Sequence, residues 1–383
     1  MPLERKNRSA KKITDGKTRK AKSREAKTRD VKARDEKTRT LKARDARAQD
    51  IKACKSTQPR ASSSVSQHTS PEQTSVAIIG AGRLGSALAL ALSQNGYRIV
   101  ALVARRAARA RRVARAITPE PLALGATGLN LLPDTDLLLV TTPDDQIAEV
   151  AARLAREFDS RSDAAPTRRR APRRIALHAS GALPSGALAP LAAHAFSVGS
   201  LHPLASISGG AGGASNLRGA FYCLEGERRA LQAARKIVCA LGGRSFSVAA
   251  RDKALYHAAA VIMSGHTVAL FSLAASLLAR CGLSAAHARR VLLPLLRTTL
   301  DNLTSADTPE RALTGTFARA DLSTVRKHLA ALTDANTTGA LAIYALLGER
   351  SLRLAAERKE FAPALLEEIE LLLRKAVKTS LDE

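Results

Sequence analysis

Between residues 75 and 241 the chain alternates short, largely apolar runs with longer stretches of helical period. The runs at 75–79, 97–103, 137–140, 175–178, 196–201 and 221–224 are rich in Val, Ile and Leu, the pattern of strands buried on both faces. Between them, 86–93, 147–158 and 230–241 space apolar residues three and four apart and predict helices that cover a sheet. Strand followed by helix, repeated, predicts a parallel sheet wound in both directions. Beyond Ala249 the period turns helical almost throughout, with helices expected at 254–278, 285–303, 322–332, 341–356 and 364–377. The predicted fold class is α/β, a doubly wound parallel sheet followed by an all-α C-terminal domain.

The first part of the chain carries no such pattern. Residues 17–51 repeat with a period of five, as in Lys27-Thr28-Arg29-Asp30, Lys32-Ala33-Arg34-Asp35 and Lys42-Ala43-Arg44-Asp45. Five residues turn a helix by about 140°, so the repeat builds no lasting apolar stripe and is expected to stay disordered. Residues 56–75, rich in Ser and Gln, read as a linker. The polar stretch 159–174, with Arg168, Arg169 and Arg170, reads as an exposed loop ahead of the next strand. The chain is therefore expected to divide into a basic repeat arm and linker (1–74), a sheet domain (75–225), a helical substrate and dimerisation domain (226–345) and a helical tail (346–383).

Charge and composition refine this. A net charge of +27 suggests a nucleic-acid partner until it is divided: residues 1–60 hold 22 Lys and Arg against 8 Asp and Glu, leaving +13 for the remainder. Nucleic-acid contact would fall to the arm, which has no aromatic side chain for stacking on bases. A solvated tail, or repetitive sequence ahead of the folded body, accounts for the arm more simply. Aromatic residues are 3% of the chain and Trp is absent, so the core is expected to consist mainly of Ala, Leu and Val. Cys54, Cys223, Cys239 and Cys281 show neither close pairing nor His at ligand spacing, which points away from a disulfide framework or zinc site and toward thiols in a reducing cytoplasm. The N-terminus lacks the apolar core of a secretory signal, and a cytoplasmic location is expected. Residues 254–279 contain no Asp, Glu, Lys or Arg and are long enough to cross a bilayer. Their Tyr256, His257, Ser264, His266 and Thr267 predict instead a buried central helix and no membrane span.

The strongest chemical signal is Gly80-Ala81-Gly82-Arg83-Leu84-Gly85, between the first strand and the first helix. Gly80 permits the tight bend, Gly82 lets a pyrophosphate approach the backbone, and Gly85 lets helix and sheet pack closely. Phosphates then sit on the unpaired N–H groups of the helix start, Arg83 and Leu84 among them. The second strand ends in Ala104-Arg105-Arg106 where NAD-binding sequences place a carboxylate, and guanidinium groups there suit a 2′-phosphate, so NADP(H) is the expected cofactor. The following Arg109, Arg111, Arg112 and Arg115 read as a solvated helix face. Thr141, Thr142 and Pro143 end another strand and can line the dinucleotide. His178 and Ser180 end the next, and His202 a further one. Lys253 and His257 stand four residues apart on one helix face, with Ser264 seven further on; a desolvated Lys shifts its pKa readily and can serve as a proton donor.

These residues, with His178-Ala179-Ser180-Gly181, His202-Pro203, the run from Asp252 to Val261 and Ala312-Leu313-Thr314-Gly315, resemble a bacterial family in which a Rossmann-like domain precedes a helical domain of unknown function numbered 2520. Pyrroline-5-carboxylate reductase and the 6-phosphogluconate and β-hydroxyacid dehydrogenases are similar at greater distance. The resemblance covers residues 75–335. It implies a Rossmann-type sheet and an NADP-dependent oxidoreductase that moves a hydride to or from a small polar, anionic carbonyl, imine or hydroxy substrate at a cleft between the domains. Lys253, His257 and His178 are the catalytic candidates; Ser180, His202 and Ser264 are the substrate-binding ones. In the β-hydroxyacid dehydrogenases a helical Lys with an Asn four residues on plays the acid, and Lys253 with His257 would correspond. The chain departs from the family at Gly265, usually Asn, at Thr316, usually Pro, and at Ala320, usually Gly. An alternative of another class is a non-catalytic NADP-binding scaffold or redox sensor. The alanine-rich helices of 250–335 offer more apolar face than one small domain can cover, which predicts a homodimer.

Overall fold

The computed structural model describes residues 74–162, 174–208, 210–334 and 337–382; the repeat arm, nearly all of the linker and the arginine-rich loop near residue 169 lie outside them. The chain forms two compact units that divide after Val261. Among the described residues the first holds eight strands: β1 (Ser75–Ile79), β2 (Arg98–Ala104), β3 (Leu122–Gly125), β4 (Leu137–Val140), β5 (Arg174–His178), β6 (Phe196–Leu204), β7 (Phe221–Gly226) and β8 (Arg244–Ser247). Their order in the sheet is β3-β2-β1-β4-β5-β6-β7-β8. Only β6 and β7 run antiparallel. The predicted doubly wound sheet is therefore present, with two strands added to those read from the sequence. β3 and β8 are four residues each with few buried positions; β3 is too short, and β8 also too polar, to stand out as an apolar run.

Successive residues of each strand feed opposite faces. Val76 and Ile78 join a core with Leu88, Leu92, Ala110, Ala234 and Ile237, carried by α1 (Arg83–Ser93), α2 (Ala107–Ala114), a short helix α4 (Gly210–Ser215) and α5 (Arg228–Ala240). Ala77 and Ile79 join a second core with Ile147, Leu154, Phe158 and Leu188, carried by α3 (Asp144–Ser162) and the 3-10 segment Ser185–His194. Because β7, α5 and β8 complete this sheet, the boundary expected at residue 225 falls inside the sheet unit. The chain reverses between β1 and β4, whose neighbours on either side lead the winding in opposite directions; ligands of such sheets bind at the strand carboxyl ends there. Cys239, on the outer face of α5, is disulfide-bonded, against the expectation of a free thiol at every cysteine, while Cys223 and Cys281 are free.

From the sheet the chain enters α6 (Lys253–Met263), then α7 (Gly265–Arg280), α8 (Ala285–Ser305), α9 (Pro309–Ala312), α10 (Leu322–Asp334), α11 (Thr338–Glu357) and α12 (Pro363–Asp382). Val325, Ala345, Leu352, Ile369 and Leu373 of α10, α11 and α12 form one core. The expected boundary at 345 thus lies within α11, and the last residues are part of this unit rather than a tail. The single helix expected at 254–278 is two helices, parted at Ser264. It is not a buried central helix: no residue of α7 is buried.

Ala320, where the resemblance led to an expectation of Gly, has φ 47°, a left-handed conformation that strains any residue with a Cβ. It precedes Asp321, whose carboxylate accepts from the Thr324 N–H and so caps α10. Ala320→Gly is expected to raise the thermal unfolding midpoint by relieving up to about 1 kcal/mol of strain. A midpoint equal to or below that of the parent in differential scanning fluorimetry would contradict this.

Candidate functional site

The site begins where β1 and β4 end side by side. Gly80 leaves β1 with φ 107°, and its N–H and that of Ala81 both donate to the Val103 carbonyl of β2 at 2.8 Å. A Cβ on Gly80 would stand 2.7 Å from the Thr141 carbonyl carbon and the Thr142 nitrogen, and one on Gly85 would stand 2.2 Å from the Gly80 oxygen. Neither contact can relax, because backbone meets backbone. The Thr141 hydroxyl donates to the Gly80 carbonyl at 2.8 Å and locks the turn to β4. Gly82 differs: a Cβ there would meet only the Gly80 oxygen, at 3.7 Å, so the space above the turn is open. No side chain caps the start of α1, and the Thr142 hydroxyl is buried without a partner. An open cradle, an uncapped helix start and an orphaned hydroxyl fit the phosphates and polar edge of a dinucleotide.

Arg83, Arg105 and Arg106 are exposed around this turn. Arg109, read from the sequence as part of a solvated face, instead donates from Nε to the Ala81 carbonyl at 2.9 Å. It braces the loop, which no local pattern could reveal because its partner lies 28 residues earlier.

A second group gathers at the ends of β5 and β6. Ser180 follows β5, and its hydroxyl donates to Asp144 Oδ2 at 2.7 Å while accepting from the N–H groups of Ala182 and Leu183. Its one proton is thus committed to Asp144, at the start of α3. His178 is buried with both ring nitrogens in use: Nδ1 accepts from the Ser180 N–H, so Nε2 carries the hydrogen that meets the Pro184 carbonyl at 3.1 Å. Lys253 has no exposed surface. Its ammonium donates to the Ser180 carbonyl at 3.1 Å and the Ser200 hydroxyl at 2.8 Å.

His202 and His257 face each other edge to face, 5.3 Å between ring centres. Gly181 makes this contact possible, since a Cβ there would stand 2.3 Å from His257 Nδ1 and 2.9 Å from His202 Nε2. His257 Nδ1 is buried without a partner. His202 Nδ1 is 2.7 Å from the hydroxyl of Tyr256, a residue that sequence reasoning passed over, as it did Asp144 and Ser200. The structure thus brings His178, Ser180, His202, Lys253 and His257 together in the first unit. Ser264 belongs to the second unit, where it precedes α7.

Electrostatics follow from burial and the Lys253 charge. Burial first, then the Lys253 cation, holds His178 down at about 4; burial, then His257 and Lys253, holds His202 at about 4. Burial also lowers Lys253, opposed by Cys223, Glu225 and Asp144. Both imidazoles are neutral at pH 7. In the unfolded chain each titrates near 6.5, so as pH falls from there the unfolded state binds protons that the native state does not, and stability declines until the native values near 4 are passed. Lowering pH from 7 to 5 should cost on the order of 2 kcal/mol per ring. In urea titrations at the two pH values, His202→Gln is expected to lose about that much less stability than the parent; an equal loss in both would refute the assignment.

Residues 56–203 match the family model described as a Rossmann-like domain, and residues 220–351 match the one described as a domain of unknown function, DUF2520. Among solved structures the fold is similar to that of a Bacteroides fragilis protein described provisionally as an NADP oxidoreductase. The two are 22% identical, the match covers 81% of this chain and 100% of that one, and the TM-score is 0.54. A Thermotoga maritima protein is similar at 23% identity, over 79% of this chain and 98% of that one, with a TM-score of 0.50. No curated protein matches the sequence. Along this chain a match to a Rossmann-like domain is thus followed by a match to a DUF2520 domain.

Proposed function

We propose that the protein is an NADP-dependent oxidoreductase that moves a hydride to or from a small polar substrate beside the Ser180–Gly181 turn. The observation that carries this reading is the uncapped glycine turn at the β1–β4 reversal, with its open face over Gly82 and the orphaned Thr142 hydroxyl across from it. The description of the Bacteroides fragilis protein as an NADP oxidoreductase agrees with it. A nicotinamide nucleotide, when bound, supplies or accepts the hydride. Gly80, Gly82, Gly85 and the backbone of Arg83 and Leu84 hold its phosphates; Thr141, Thr142 and Pro143 line it; Arg105 and Arg106 pair with its 2′-phosphate. In the reducing direction a C=O or C=N carbon gains the hydride and the heteroatom gains a proton. His257 and His202, the polar edges that converge on Gly181, face that heteroatom. Lys253, His178 and Ser180 act as positioning residues that hold the turn, and burial together with Lys253 keeps His202 neutral.

Calorimetry and turnover on the full-length chain test this. NADP⁺ is expected to bind more tightly than NAD⁺, and replacing Arg105 and Arg106 by Ser should erase about tenfold to hundredfold of that preference, equivalent to ~1–3 kcal/mol. NADPH should be oxidised with a member of a panel of keto acids, aldehydes and cyclic imines, and His257→Ala should suppress it. Tight NADP binding without oxidation across the panel would favour the scaffold or sensor reading; no binding would end both.

We also propose that a second copy of the chain covers the helices after the sheet. Val268 on α7 is 70% exposed, and Leu295 and Leu300 on α8 are each 61% exposed. The run Ala250–Arg280 is long and apolar enough by itself to cross a membrane. Yet the apolar positions of α8 form a stripe among Arg289, Arg290, Arg297 and Asp301, which suits a protein partner and not lipid. Light scattering at micromolar concentration should give a dimer mass, and Leu295→Glu with Leu300→Glu a monomer. A monomeric parent, or one that requires detergent, would contradict the proposal.

A further inference from the structure

Tyr256 packs against His202, whose tautomer the chemistry above leaves open. It lies one residue before His257 on α6, half-buried, with its ring edge on Phe246 and on His202. Its hydroxyl meets His202 Nδ1 at 2.7 Å. Two proton arrangements satisfy this contact. In one, the phenol donates to His202 Nδ1; in the other, His202 donates to the phenol oxygen. Burial keeps Tyr256 protonated by raising its pKa, and an imidazole nitrogen is a far better acceptor than a phenol oxygen, so the first prevails.

With Nδ1 occupied as an acceptor, the ring hydrogen of neutral His202 must sit on Nε2. That nitrogen is on the edge turned to Gly181 and His257. Lys253, Asp144, His178 and His257 are the charged or titratable groups whose fields reach the ring, and Lys253 together with burial disfavours a second ring proton. His202 thus presents a fixed N–H.

We propose that Tyr256 is a positioning residue that locks His202 as the Nε2–H tautomer, and that the substrate is correspondingly an oxo compound, whose carbonyl oxygen accepts from His202 Nε2. This rests on the oxidoreductase reading and narrows it. A ketone or aldehyde oxygen offers lone pairs to an N–H and draws more from it as negative charge develops during hydride addition. A protonated imine has no lone pair to offer. His202 assists as a neutral hydrogen-bond donor that keeps its proton, as a low-pKa imidazole can, and the alkoxide oxygen takes its proton from water.

The tautomer is measured without any substrate. In full-length protein labelled with ¹⁵N-histidine, His202 is assigned by the loss of its signals in His202→Gln. At pH 7 the parent is expected to show a pyridine-type Nδ1 and a pyrrole-type Nε2, and in Tyr256→Phe the Nδ1 resonance should move and the second tautomer appear. A pyrrole-type Nδ1 in the parent, which needs no variant, or an unchanged His202 pattern in Tyr256→Phe overturns the tautomer assignment, whatever the outcome for NADP binding. In turnover, Tyr256→Phe should lower kcat for a keto acid or aldehyde by about tenfold, with KM within about twofold, because the donor acts on charge formed in the transition state. Faster turnover of a cyclic imine than of every oxo compound in the panel would overturn the substrate assignment while leaving the oxidoreductase reading intact.

Discussion

A buried ammonium organises the site end of the sheet. Lys253 has no exposed surface and donates to the Ser180 carbonyl and the Ser200 hydroxyl. One cation therefore ties the start of α6 to the turn after β5 and to β6. Removing an ammonium from water costs several kcal/mol. Charge-assisted hydrogen bonds of about 1.5–3 kcal/mol each offset part of that, and the nearby carboxylates of Glu225 and Asp144 favour the charged form. The charge also determines the chemistry around it. Burial, and with it a cation this close, disfavours protonation of His178 and His202, and a neutral imidazole can donate and accept at once where an imidazolium can only donate.

The same contacts join the cofactor side of the site to the imidazole side. Gly80 is held to Thr141, three residues before Asp144, and Asp144 accepts from Ser180, whose carbonyl accepts from Lys253. The turns after β1, β4 and β5 and the first turn of α6 thus form one connected series. Steric exclusion gives the series its shape. At Gly80 and Gly85 backbone approaches where a Cβ would otherwise stand, and at Gly181 two imidazoles do. Those three glycines admit three different neighbours.

The helices beyond the sheet follow a different logic. α10, α11 and α12 bury their apolar faces on one another, whereas α7 and α8 leave theirs exposed. Hydrophobic area left in water on two adjacent helices is a driving force for association. The expectation that residues 254–278 form a buried helix failed here: the apolar pattern is real, but a pattern along one helix does not say which surface will meet it, and no residue of α7 is buried.

Much of this protein was legible in its residues because the relevant physics is local. Apolar runs of strand length, the helical period after Ala249 and the glycine spacing from Gly80 to Gly85 each reflect the conformation of a few consecutive residues, and all three led to elements found in the structure. β3 and β8 escaped because four residues with few buried positions make no pattern of their own and become strands only against a neighbour. The site was legible in part. His178, His202, Lys253 and His257 were selected for their chemistry and do converge, but the sequence determined only that such side chains end strands or share a helix face. Which of them is buried, which nitrogen is occupied, that Tyr256 meets His202 and Ser200 meets Lys253, that Asp144 holds Ser180 and that Arg109 braces the glycine turn were decided by tertiary structure alone. Those contacts join residues tens of positions apart, and a hydrogen bond or a desolvated charge exists only once folding has brought both partners together and removed the water between them.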